Sequence, residues 1–203
     1  MSQTIPINFS RLPAFNHLLD EIKVGNELKA AAVPRPARLP LLVELLSQIN
    51  SPLVYILARS DQVQVVQEEL SFWSPGIQQL YFAEPPALFY EKVAWEESVR
   101  WERIKVLGYL ANYWIPGRAP IANHPIIITT VKALMSRTLP RRDFLSNCLT
   151  LCQGQSLNLE YLLNKFIHIG YEMQEVVVAA GQISHRGGIV DAWIPNAELP
   201  IRI

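Results

Sequence analysis

The sequence predicts an α/β chain: a parallel sheet with helices on both faces, laid out like a P-loop domain that has lost its phosphate-binding residues, followed by a small α+β unit. Three observations predict it. Up to about Asn147, short apolar blocks alternate with longer helical stretches, the pattern of an open parallel sheet. The blocks, such as "SPLVYILA" and "HPIIITTV", are continuously apolar, as strands are when helices cover both of their faces. From Cys148 onward the order changes to one helix and then strands only. Residues 1–147 and 148–203 are therefore expected to form separate domains.

The elements follow in order. "AAAVPRPARLPLLVELL", Ala30 to Leu46, reads as the end of a strand, a short loop and the start of an amphipathic helix. A working phosphate loop at that place needs glycines, a lysine for the outer phosphates and a Ser or Thr for the metal. Here Pro34, Pro36 and Pro40 stand instead, with Arg35 and Arg38 as the cations. Proline removes N–H donors, so a solvated loop is expected and no cofactor is. The strand ending at Ala58 leads to Ser60 and Asp61, which can cap a helix whose Val63, Val66 and Leu70 recur at helical spacing. "EESVRWERIKVLGYLANYW" reads as an amphipathic helix with acid and base facing water. Its Trp95, Trp101 and Trp114, interleaved with Arg100 and Arg103, also suit a stacking surface for nucleic acid, the less favoured reading. "HPIIITTV" and "KALMSRTL" give a further strand and helix.

In the second part, "NCLTLCQG" is expected as a strand and Ser156 as a helix cap. Leu159, Leu162, Leu163, Phe166 and Ile167 form one face of a helix ending at Gly170. Gly181 marks a turn, Gly187-Gly188 a bend, and Leu199, Ile201 and Ile203 alternate with Pro200 and Arg202 in a last strand. The chain stops within that strand, so a fragment of something longer is expected.

Composition narrows the function. The 203 residues are half hydrophobic, with eighteen basic and eighteen acidic side chains. The chain can bury a sizeable core, and no basic excess argues for binding a phosphate backbone. The longest apolar runs are too short to span a bilayer, and the N-terminus lacks the layout of a secretory signal. A cytoplasmic location is the default. Cys148 and Cys152 have C-x3-C spacing with no second ligand pair; two buried thiols on one strand face are expected, and no metal. His17, His124, His168 and His185 are scattered, without a nucleophile and acid arranged around any of them. No catalytic residue is assigned. Arg186, just before the glycine pair, and Arg202, on the polar face of the last strand, could make a recognition surface. On spacing alone, two solvated arginines are an equal reading.

"GYEMQEVVVAAGQISHRGGIVDAWIPNAELPIRI" resembles a segment shared by the bacterial transcription-repair coupling factors (Mfd) and UvrB. The matching positions are Gly170, Tyr171, Val177, Gly181, Arg186, Gly187, Asp191, Pro195, Pro200 and Arg202. The likeness extends back through "IIITTVKALMSRTLP" and more loosely to the opening loop. Where the family has aromatics, this chain has Ile183 and Trp193-Ile194, which keep apolar character.

The resemblance implies a UvrB-like module whose nucleotide loop has degenerated, as in the coupling factors, and an incomplete UvrB-interaction-type domain after it. It implies binding to UvrA, the damage-recognition ATPase, with Arg186 and Arg202 in the contact. The coupling factor's motor activity on DNA and its contacts to RNA polymerase would lie in other parts of the parent protein. The alternative is part of an ATP-dependent UvrB-type helicase. Against it stand the missing Lys and Gly near Pro34 and the short, acidic character of "YFAEPPALFYEKV", where UvrB uses a tyrosine-rich hairpin.

Overall fold

The computed structural model describes residues 9–27, 32–86, 95–115, 123–195 and 197–203. In chain order the helices and strands are α1 (Pro13–Val24), α2 (Arg38–Gln48), β1 (Leu53–Leu57), α3 (Val63–Trp73), β2 (Gln79–Phe82), α4 (Glu97–Ala111) and β3 (Ile126–Thr130). They continue with α5 (Val131–Met135), α6 (Arg141–Ser146), α7 (Leu159–His168), β4 (Glu172–Met173), β5 (Gln182–Arg186), β6 (Ile189–Ala192) and β7 (Ile201–Arg202). The chain divides into two compact units, Met1–Glu84 with Ile121–Met135 and Pro85–Pro120 with Ser136–Ile203. A single cut at residue 147 does not separate them. Helix α4 goes with the second unit because its Trp101 packs edge-on against Tyr171 at 6.0 Å and its Arg103 donates to the Ser136 carbonyl at 3.3 Å.

In the first unit, β3 lies between β1 and β2 and pairs with both in parallel. All five of its residues are buried, as continuous apolar patterning predicts for a covered strand. Ile126, Ile128 and Leu57 meet Leu39 of α2 and Val63, Val66 and Leu70 of α3 in one core, so the helical spacing in α3 marks its buried face. Phe15 and Leu19 of α1 join Leu45 of α2 in a second cluster. Strand β1, at one end of the sheet among the described residues, departs from the pattern: its Val54 and Ile56 are about half exposed.

The expected caps of α3 do other work. Asp61 pairs with Arg59, and the Ser60 hydroxyl donates to Glu84 at 2.9 Å. The Thr130 hydroxyl donates to the other Glu84 oxygen at 2.6 Å. One carboxylate thus ties together the carboxyl ends of all three parallel strands. The strand expected before Pro34 falls largely on residues 28–31, outside the described residues, as does the part of "YFAEPPALFYEKV" from residue 87.

In the second unit, α4 is a helix but not one with all its charges in water. Arg103 is 3% exposed, with its guanidinium 5.0 Å from the Trp95 ring centroid. Burial pulls its pKa down to about 10. The tryptophans do not share a stacking surface. Trp95 faces Arg103, Trp101 faces Tyr171, and the exposed Trp114 lies under Arg141 at 4.2 Å.

Residues 148–152 are not a strand. Leu149 and Leu151 pack on the core formed by Leu162, Phe166, Ile183, Val190 and Ala192, but among the described residues no strand pairs with them, and a turn closes where Gln155 N–H donates to the Cys152 carbonyl at 3.1 Å. The two thiols are accordingly not buried together: Cys148 is half-buried and Cys152 exposed. Helix α7 is capped by Asn158, not Ser156, its side-chain oxygen accepting the Tyr161 N–H at 2.9 Å. Ile167, expected on the buried face, is 51% exposed because it lies one position round the helix from the buried Phe166.

The sheet of this unit runs β4-β5-β6-β7, with β4 and β5 parallel and the rest antiparallel. Gly187-Gly188 forms the two-residue loop of the β5–β6 hairpin, with φ +62° at Gly187, the left-handed conformation such loops require. At the other end, Ile203 exchanges both backbone hydrogen bonds with Val190, at 2.8 and 3.0 Å, and packs against the core. Leu199 and Ile201 stay exposed.

Candidate functional site

Strand register builds the site. Ser184 stands opposite Asp191, Asp191 opposite Arg202, and Arg186 opposite Ile189. Since neighbouring residues of a strand point to opposite faces, Ile183, Val190 and Ala192 point to the core, and Ser184, Arg186, Ile189, Asp191 and Arg202 share the other face. The glycine loop fixes the hairpin register, and the Val190–Ile203 bonds fix that of the last strand. The two arginines singled out in the sequence therefore line one groove of about 580 Å³, together with Asp191, Glu175, Val176 and Ile189.

The two guanidinium groups are held differently. Arg186 donates one Nη2–H to the Glu175 carbonyl at 3.2 Å. Arg202 makes a two-pronged pair with Asp191, Nε to Oδ1 at 2.7 Å and Nη2 to Oδ2 at 2.9 Å. Its side chain is 70% exposed, that of Asp191 29%. The hydrogen bonds from Arg202 hold the Asp191 carboxyl below its ordinary pKa against an opposing desolvation effect, with the fields of Arg202 and Arg186 adding to them. Reciprocally, Asp191 raises the pKa of Arg202.

Val176 and Ile189 are 60% and 46% exposed, so the face combines planar donors with uncovered apolar side chains. That is a composition suited to a protein contact. It offers no nucleophile held by a base. Asp191, Glu175, Val176 and Ile189 join the two arginines here without being marked as site residues by the sequence alone. Asp191 was reachable, because a two-residue loop at Gly187-Gly188 places it on the same face as Arg186. The placement of Glu175 depends on the fold around it.

Elsewhere, Arg35 and Arg38 border a groove of about 480 Å³ at the end of β1, but Asp61 and Glu69 border it too, so the charges balance. Arg38 Nε donates to the Val33 carbonyl at 3.3 Å, and Pro40 sits in the first turn of α2, where an N–H would otherwise point outward. These residues do not fit a nucleotide's phosphates. Among the described residues no group of three or more His, Cys, Asp or Glu is placed to hold a metal ion, and no helix is long and apolar enough to cross a membrane.

Residues 149–203 match the UvrB interaction domain. Over 93% of its length the chain is 26% identical to the transcription-repair-coupling factor of Bacillus subtilis (strain 168) and 22% identical to that of Myxococcus xanthus. Over 70% of its length it is 31% identical to that of Helicobacter pylori (strain J99 / ATCC 700824). The chain spans 15%, 16% and 14% of the lengths of these three relatives. Residues 149–203 thus carry the match to the UvrB interaction domain, and the chain over most of its length is similar to a segment of transcription-repair-coupling factors.

Proposed function

We propose that this chain is a non-catalytic protein-interaction module that recruits UvrA in transcription-coupled DNA repair, using the open face of the four-stranded sheet. The observation that carries this reading is that Arg186 and Arg202, on different strands and implicated by the resemblance, line one groove. Exposed arginines beside uncovered Val176 and Ile189 supply the directional donors and apolar area that hot spots use. Residues 148–203 are the contact domain in this reading, and the parallel-sheet part, without a phosphate-binding loop, serves as scaffold. The site of action is the cytoplasm. Contacts to RNA polymerase and DNA belong to other parts of a coupling factor.

The test is titration of purified UvrA with the chain and its variants, each first shown to be folded by circular dichroism. Arg186→Glu is expected to weaken binding by well over tenfold, a cost of at least about 2 kcal/mol. For Arg202 the informative change is to Ala, since Glu would set a second carboxylate against Asp191 and disturb the sheet itself. Arg103 cannot serve as the neutral control because it is buried. Arg100→Glu, at an exposed position of α4, is expected to leave binding unchanged. No binding by the wild type would sink the reading, and equal binding by Arg186→Glu would remove that arginine from the contact.

A further inference from the structure

The pairing of Arg202 with Asp191 bears on how the face recognises its partner. An arginine has five N–H donors in one plane, and the pair uses one on Nε and one on Nη2. The other three lie on the edges of the guanidinium turned away from the carboxylate. Without a partner, a side chain 70% exposed would sample many rotamers, and binding would have to order it. Asp191 stands directly opposite on β6, a strand paired on both sides, so its carboxylate is fixed by the middle of the sheet.

Asp191 also changes the electrostatics. Arg186 and Arg202 line the groove with Asp191 and Glu175, two cations and two carboxylates. Net charge is therefore a poor basis for selecting a partner here, and the direction of the donors matters more.

We propose that Asp191 is a positioning residue of this face, holding the Arg202 guanidinium so that its three unshared N–H donors are presented to UvrA. The inference rests on the UvrA reading given above. It requires Asp191 to act through Arg202 and not through the fold, which gives it a distinctive signature.

The test is a double-mutant cycle in UvrA binding with Asp191→Ala, Arg202→Ala and the double variant, accompanied by NMR of the free chain. Each single change is expected to weaken binding by roughly tenfold, and the double variant to bind no worse than Arg202→Ala. The Arg202 Nε–H should be protected from exchange in the wild type and lose that protection in Asp191→Ala. The backbone amides of Val190 and Ile203, which report the joining of β6 and β7, should keep theirs. Asp191→Asn, which retains the shape and one acceptor, provides the same comparison if the alanine variant unfolds. Unchanged binding by the Asp191 variants would overturn the inference alone, as would losses that multiply in the double variant. Lost protection at Val190 and Ile203 together with lost binding would assign Asp191 a structural role instead. Absence of wild-type binding would overturn the UvrA reading and this inference with it.

Discussion

Trp101 fills the space in front of Gly181: a Cβ on that glycine would lie 1.8 Å from Cζ2 of the indole. The ring is fixed from two sides, since its Nε1 donates to Glu97 at 3.0 Å and its edge meets Tyr171. The glycine is therefore required by helix α4 as much as by the turn before β5.

Gly181→Ala is expected to destabilise the second unit by at least about 2 kcal/mol, from the left-handed backbone and the displaced ring together. The φ of +86° at this position is strained for any residue with a Cβ. Urea unfolding followed by tryptophan fluorescence measures the loss. Stability within about 0.5 kcal/mol of wild type, the range of an ordinary surface change, would contradict it.

Arg103→Glu is expected to cost at least about 2 kcal/mol, because it places a carboxylate in a buried site facing a carbonyl oxygen. The wild-type guanidinium donates there to Ser136 and faces Trp95. Arg103→Lys should lose less, keeping the charge but not the planar contact. Thermal melts of the two variants give the order, and a glutamate variant as stable as the lysine one would refute it.

ATP with magnesium is expected not to bind. The loop lacks the lysine, glycines and metal-ligating hydroxyl of a phosphate site, and carboxylates stand beside its two arginines. Calorimetric titration is the measurement, and a micromolar dissociation constant would overturn the non-catalytic reading.

Asp191 is expected to titrate below a model-peptide aspartate, and to move back up in Arg202→Ala, because the hydrogen bonds from Arg202 are the main cause of its shift. A folded-state pKa lowered in this way means that the pair's contribution is complete above the unfolded value, about pH 4, and disappears as pH falls through the lower folded value. Arg186 and Arg202 are the cations acting on it, and neither changes charge in that range. Carboxyl-carbon NMR of Asp191 follows the titration directly. A midpoint at or above the model-peptide value would show that the pair does not persist in solution.

The parts of this fold that the sequence made legible are those where one local rule decides. The apolar block of β3, the spacing of Val63, Val66 and Leu70, and the glycine pair of the hairpin each fix their own outcome. Legibility fails where a distant partner decides. "NCLTLCQG" has the composition of a strand, but among the described residues no strand pairs with it. Arg103 looks like any solvated helix charge until Ser136 and Trp95 close over it. Helix α4 follows β2 in the chain yet belongs with the unit that contains Tyr171. The candidate site divides the same way: its two arginines could be named from the sequence, whereas the union of Arg202 with Asp191 needs the pairing of β6 with β7.

The hydrogen bonds of Glu84 to Ser60 and Thr130 have a consequence for how this sheet behaves over time. In a nucleotide-driven motor, the crevice at the carboxyl ends of the strands holds a ligand that arrives, is cleaved and leaves, and the protein changes state with it. Here the group that joins those strand ends is a side chain, covalently part of the chain and never released. The three strand ends are thus joined by a group that belongs to the fold itself, and holding them together calls for no bound ligand.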